Sequence, residues 1–256
     1  MIHPTAIIHP TAQLDAGVTV GPYSIIGEQV KIGAGTQIGA HVVIERWTEI
    51  GCDNQIFQFA SVGAGPQDLK YKGEETWLVI GDRNRIREFA TLHRGTVEGG
   101  GRTVVGSDNL FMAYSHVAHD CRVHNRIVMA NAATLAGHVE VEDNAILGGL
   151  VAVHQFCRLG CHTMISGGAM ITQDIPPYTI AQGDRAKTIG INLVGLKRRG
   201  FPEETIRGIK NAYRLLFRAG LRMEEALERI ERDYGTIPEV QHFVGFIKQS
   251  HRGIAR

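Results

Sequence analysis

From Ile2 onward, every sixth residue is a large aliphatic: Ile2, Ile8, Leu14, Val20, Ile26, Ile32, Ile38, Ile44, Ile50, Ile56 and Val62. The register skips residues 68–79, resumes at Ile80, Ile86 and Leu92, and breaks again at 98–104. It then runs in a shifted phase from Val105 to Ile171, with Phe111 and Met129 the only steps that are not Ile, Leu or Val. A period of six suits neither a helix, which repeats every 3.6 residues, nor an alternating strand. It suits a very short strand followed by a tight turn, with one aliphatic per turn directed at a central axis. Gly often follows the aliphatic (Gly21, Gly27, Gly33, Gly39, Gly51), which reads as a supply of turn conformations that a Cβ would penalise. The fifth position of each hexad favours small or β-branched residues. Three hexads make a triangular coil of 18 residues, and successive coils pair as parallel strands ~4.8 Å apart.

The repeat stops at Pro176-Pro177, which cannot continue a hydrogen-bonded ladder. Residues 177–190 read as a crossover. From Ile191 the apolar spacing becomes helical, with helices expected from Pro202 to about Arg218, Met223 to about Tyr234 and Pro238 to about Ser250, so 191–256 is read as a small helical domain. That segment holds 13 Lys and Arg against 8 Asp and Glu, leaving 14 against 18 in the remainder. Without a dense basic run interleaved with aromatics, nucleic-acid binding is not expected, whereas an acidic protein partner is. No apolar stretch reaches the ~20 residues of a membrane span and no secretory start is visible, so stable membrane insertion is not expected. Cys52, Cys121, Cys157 and Cys161 do not make a disulfide scaffold in a chain of 256 residues, and a cytoplasmic, reduced protein is expected. Cys157-x-x-x-Cys161 reads as small side chains filling the repeat rather than as a metal pair.

Coil arithmetic turns the sequence into columns. Residues 18 apart in the uninterrupted run stack, which places His119, Gly137 and Gln155 in one column and Asp120, His138 and Phe156 in the next. An imidazole base, a glycine N–H and an amide then converge within two coils. Such a set can deprotonate a hydroxyl and stabilise the oxyanion formed on a thioester carbonyl. Adjacency alone does not put the Asp120 carboxylate on the His119 ring, and Asp120 could be an ordinary turn residue. Lys197, Arg198 and Arg199 could be a solvated helix start or an anion site. His3, His9, His41, His93 and His162 read as structural or exposed.

The hexads resemble those of the hexapeptide-repeat acyltransferases. That resemblance implies a mostly β chain, a left-handed parallel β-helix over 1–176 with loops at 68–79 and 98–104, followed by the helical domain. Gln67-Asp68-Leu69-Lys70-Tyr71, His116-Val-Ala-His119-Asp120-Cys121, Ala136-Gly137-His138-Val139, His154-Gln155-Phe156-Cys157 and Gly195-Leu196-Lys197-Arg198-Arg199-Gly200-Phe201 narrow it. Together they look like the UDP-N-acetylglucosamine (UDP-GlcNAc) O-acyltransferase family of lipid A biosynthesis. The resemblance implies transfer of a 3-hydroxyacyl chain from acyl carrier protein to the sugar 3-hydroxyl by a cytoplasmic homotrimer, with no cofactor and no metal. His119 would be the general base, Asp120 its assistant and the Gly137 N–H the oxyanion donor. Gln67, Asp68, Lys70, His116, His138 and Gln155 would line the acyl and sugar pocket. Asn192, Arg198 and Arg199 would contact the nucleotide or the phosphopantetheine, and Gly167 would mark the end of the acyl groove. Val194 stands where that family usually has an acidic residue.

Rival readings remain at this level. The N-acyltransferase of the same pathway would carry an added N-terminal domain, whereas the hexads here begin at residue 2. An acetyltransferase using coenzyme A would lack the Gln-Asp-Leu-Lys-Tyr loop. A zinc lyase of the carbonic anhydrase type would need three ligands and an open position, which His116, His119 and His138 could supply. A non-catalytic assembly subunit would have no reason to align His119, Gly137 and Gln155.

Overall fold

The computed structural model describes residues 1–256. Its strands are mostly two residues long and form three parallel sheets, of nine, eight and ten strands, visited in rotation by the chain. In the uninterrupted part each strand pairs with the one 18 residues on, as in His116↔Thr134 and Val117↔Leu135. The step aliphatics from Val20 to Ile171 are all buried and form one continuous core with the fifth-position residues. Three buried asparagines at fifth positions are satisfied by each other and by the backbone: Asn54 Oδ1 accepts from the Asn84 backbone, and Asn84 Oδ1 from that of Asn109.

The turn chemistry differs from the sequence reading. Except at Gly63, where φ is +80°, the glycine after each aliphatic is not the residue at positive φ. That place falls two residues later, at Tyr23, His41, Asp53, Tyr114 and His138 among others. Glycine is needed after the aliphatic because the next coil's backbone passes against it: a Cβ on Gly21 would lie 2.6 Å from the carbonyl carbon of Gly39. Left-handed non-glycine residues are strained, and stacking between coils offsets this at one edge. The rings of Tyr23, His41, Phe59, Phe89 and Tyr114 stack at 4.8–5.2 Å, close to the coil rise, and each such pair contributes about 0.5–1.5 kcal/mol.

Both loops lie three to four residues earlier in the chain than the register suggested. Trp77–Ile80 and Arg102–Val105 are four-residue strands that pair with each other in the eight-stranded sheet. Their alternation explains this, since Leu78, Ile80, Thr103 and Val105 are buried. The loops proper are therefore 65–76 and 94–101, and both leave the prism where the nine-stranded sheet gives way to the eight-stranded one.

The segment 177–190 is not a bare crossover. Thr179–Gln182 adds to the ten-stranded sheet beside Met164–Ile165, and Lys187–Ile191 returns antiparallel to it. Four helices follow: α1 (Leu193–Arg198), α2 (Glu203–Phe217), α3 (Met223–Tyr234) and α4 (Pro238–Lys248). They enclose a second core that includes Leu196, Ile209, Phe243 and Phe246 and reaches the prism through Tyr178. No helix is long and apolar enough to cross a membrane.

Candidate active site

A three-sided prism has three edges, and their turns can be told apart by the strands they join. His119 and Asp120, Gly137 and His138, and Gln155 and Phe156 all lie in turns from the nine-stranded to the eight-stranded sheet. Both loops emerge at this same edge, so Gln67, Asp68 and Lys70 stand over the two columns predicted from coil arithmetic.

The columns meet closely. The His119 and His138 rings sit edge to face at 5.2 Å, and His138 stacks on Phe156 at 4.4 Å. Gly137 lies buried under the His119 ring, where a Cβ would fall 2.6 Å from Cε1. Its φ is not positive, so the ring alone requires glycine there. The N–H of Gly137 donates to no atom of the chain. At the neighbouring edge, the equivalent N–H groups of Ser107 and Asn125 are capped by Asn125 and Asp143 side chains of the next coil. A glycine column partner with no such cap leaves a backbone donor for a ligand.

His119 Nδ1 lies 2.7 Å from Asp120 Oδ2. The carboxylate takes two further hydrogen bonds, from Thr96 N to Oδ1 at 2.8 Å and from Thr96 Oγ1 to Oδ2 at 2.7 Å. Its side chain is only 1% exposed. Burial pushes the Asp120 carboxyl up, but the hydrogen bonds from His119 and Thr96 outweigh it and hold the group below the usual range. An ionised carboxylate only accepts, so Nδ1 of His119 carries the ring proton and Nε2 keeps its lone pair. Gly99 makes the burial possible, because a Cβ there would overlap the carboxylate.

Burial disfavours the charged form of the histidines around His119. His116 shares a 2.7 Å hydrogen bond between Nδ1 and Thr91 Oγ1 and packs edge to face on His93 at 4.9 Å. Burial lowers the pKa of His116 and of His138, and takes that of His93 down to about 4. His93, read from sequence as structural or exposed, is buried beside the site. Arg94 next to it is buried too. Its guanidinium bonds to Gly63 O and to Tyr71 Oη at 3.0 Å, which ties the 65–76 loop to the prism. Lys70 Nζ reaches Glu98 Oε2 at 3.1 Å and links the two loops. Gln67, Lys70 and Gln155 are exposed.

Not every expected site residue lies at this edge. Arg199 donates to Asn144 Oδ1 at 2.6 Å, and Asn192 Nδ2 to His162 O at 2.9 Å, both in turns from the eight-stranded to the ten-stranded sheet. Asn192 also caps α1, accepting from Gly195 N at 3.0 Å. Arg198 is exposed at the end of α1, and Val194 is 61% exposed. Gly167 occupies the third edge, from the ten-stranded to the nine-stranded sheet, where it is exposed and lies against Gly149. The three-histidine zinc set is not assembled: the donor atoms that cluster are those of His119, Asp120 and His138, while His116 is engaged by Thr91.

Comparison with known proteins agrees with this geometry. Residues 174–255 match the family model for domain 2 of UDP-N-acetylglucosamine O-acyltransferase, and residues 11–46 the bacterial transferase hexapeptide model. The acyl-[acyl-carrier-protein]–UDP-N-acetylglucosamine O-acyltransferase of Myxococcus xanthus is 59% identical across 100% of this chain and 99% of its own length. The chain belongs to the UDP-N-acetylglucosamine O-acyltransferase family. The Janthinobacterium member is 54% identical with the same coverage. The crystal structure of the Moraxella catarrhalis member superimposes with a TM-score of 0.98 at 45% identity, covering 100% of this chain and 99% of that one. With the family comes its architecture, a left-handed parallel β-helix, and its class, acyltransferase. The lyase and assembly-subunit readings fall away.

Proposed function

We propose that this chain moves the acyl group of an acyl carrier protein thioester onto the 3-hydroxyl of UDP-GlcNAc, with His119 as general base. The observation that carries the reading is the oriented His119 ring above an uncapped Gly137 N–H. Nε2 takes the hydroxyl proton as the oxygen attacks the thioester carbon, and the Gly137 N–H bonds the oxyanion of the tetrahedral intermediate. Collapse breaks the C–S bond, and the phosphopantetheine thiolate recovers the proton from His119. Asp120 holds the tautomer and stabilises the imidazolium in between. The reading requires that free carrier thiol appear only when UDP-GlcNAc is present. Equal thiol release without the sugar nucleotide would make the protein a thioesterase instead.

The homotrimer expected from the family resemblance explains why the remaining site residues sit on other edges. One copy's first edge can meet a second copy's Asn192, Arg198 and Arg199 and a Gly167 edge only between packed prisms. Gly149 and Gly167 leave the third edge without side chains in successive coils, room for a hydrocarbon tail. A groove open at Gly167 suits the donor of about 12–14 carbons that the family resemblance implies; each methylene denied its groove forfeits ~0.8 kcal/mol, so losing four carbons' worth of contact shifts selectivity by roughly 3 kcal/mol. Gly167→Met should therefore favour ten-carbon over fourteen-carbon carriers in a competition assay, whereas an unchanged preference would place the stop elsewhere. The φ at Gly167 is not positive, and a Cβ there would lie 3.2 Å from Gly149 O, so the change asks the backbone for a shift of only a few tenths of an ångström.

The acidic carrier protein is assigned to the basic helical domain. Exposed charges are screened beyond ~10 Å at 0.1 M salt, so the carrier's KM should rise with ionic strength. Arg198→Glu should raise it at low salt. A KM indifferent to both would put the carrier on another surface.

A further inference from the structure

Glu142, Cys161 and His242 bring a carboxylate, a thiol and an imidazole together with their ligand atoms all within 4.8 Å of one another. None of the three takes part in the proposed chemistry. Glu142 and Cys161 lie in successive coils at the edge between the eight- and ten-stranded sheets, and His242 projects from α4 in the helical domain. The group is built rather than incidental. The Cys161 N–H donates to Glu142 Oε2 at 2.8 Å, and His242 Nε2 meets the same oxygen at 2.7 Å. The buried Tyr178 ring closes one side, 6.4 Å from the His242 ring. The Glu142 side chain is 13% exposed and that of His242 43%, so two ligands are seated while the third opens to solvent and offers an entry path.

We propose that Glu142, Cys161 and His242 form a binding site for a thiophilic divalent cation of the zinc type, which clips the helical domain to the prism. One thiolate, one imidazole and one carboxylate match the donor set that zinc takes with a fourth position left to water. The same set is too soft for magnesium or calcium, which take oxygen ligands. Bond lengths of 2.0–2.3 Å put tetrahedral donors about 3.5 Å apart, so no pair of the trio needs to close by more than about 1 Å, while His242 Nε2 and Glu142 Oε2, now 2.7 Å apart, must open by a little less. The half-exposed His242 side chain can supply that movement. Binding replaces the Cys161 thiol proton and the proton between His242 and Glu142, which leave to solvent. The sequence reading dismissed Cys157-x-x-x-Cys161 as a metal pair, and that holds for Cys157, which is buried in the prism core. Cys161 finds its partners on the preceding coil and on a helix about 80 residues later, a grouping that no local motif announces.

Cobalt titration of the metal-free, full-length protein tests this. One equivalent of Co²⁺ should produce a thiolate charge-transfer band in the near ultraviolet, and one equivalent of Zn²⁺ should abolish it. Cys161→Ser should remove the band, and His242→Ala, at an exposed helix position, should weaken binding at least about tenfold, since even outer-shell partners are worth that much. Zinc should raise the Tm of the wild type and leave that of Cys161→Ser unchanged. Absence of a band in the wild type would overturn the proposal. So would a band that survives in Cys161→Ser or vanishes in Cys52→Ser, which would place the metal at another thiol.

Discussion

His119→Ala should lower kcat by about 10²–10⁴-fold, the usual worth of a positioned general base, while leaving Tm near that of the wild type. The ring is partly exposed, with 15% of the side chain open to solvent, and it supports no part of the aliphatic core. Its removal costs Asp120 one hydrogen-bond donor, but Thr96 still supplies two. The measurement is steady-state transfer by the purified variant, with circular dichroism confirming the fold. Turnover within a few-fold of wild type would remove His119 from the mechanism.

Asp120→Asn should cost nearly as much, a larger effect than sequence adjacency suggested. The Thr96 N–H needs an acceptor, so the new amide must turn its oxygen to that side. Its NH₂ then stands where Oδ2 now receives the His119 Nδ1 proton. An amide nitrogen only donates, so Nδ1 must become the acceptor and the ring proton moves to Nε2. That is the atom on which the base must accept. Loss of the correct tautomer in a comparable His–Asp pair costs about 10⁴-fold, and a loss of about 10³–10⁴-fold in kcat with little change in KM is expected here. Less than a tenfold loss would mean that the carboxylate only packs the turn.

What the sequence reveals depends on whether a feature repeats. The core is legible because every coil uses the same two hexad positions for buried side chains. The His119–Gly137 and Asp120–His138 columns are legible because the run from Val105 is unbroken, so 18 residues always means one coil. Across the interruptions that arithmetic fails. His116 pairs with Thr91, 25 residues back, and Arg85 with Gln55, 30 back. The residues that bury and orient Asp120 (Thr96 and Gly99, with Thr103 Oγ1 accepting from the Asp120 N–H at 2.7 Å) come from that aperiodic stretch. So do His93 and the Arg94 that anchors the 65–76 loop. The signal that could have found them is Arg94 itself, a cation set beside the buried step position Leu92. The recurrent glycines were misread for a different reason. Their spacing marks where coils touch, and spacing does not separate a close approach from a left-handed turn.

Mass spectrometry of the reaction products, for wild type and His119→Ala side by side, tests the account most directly. The purified proteins are given 3-hydroxyacyl carrier protein and UDP-GlcNAc. The account predicts that the wild type forms an ester of UDP-GlcNAc with the donor's acyl mass and one free carrier thiol for each ester, while His119→Ala forms almost none. No ester from the wild type, or equal yields from both proteins, would contradict it.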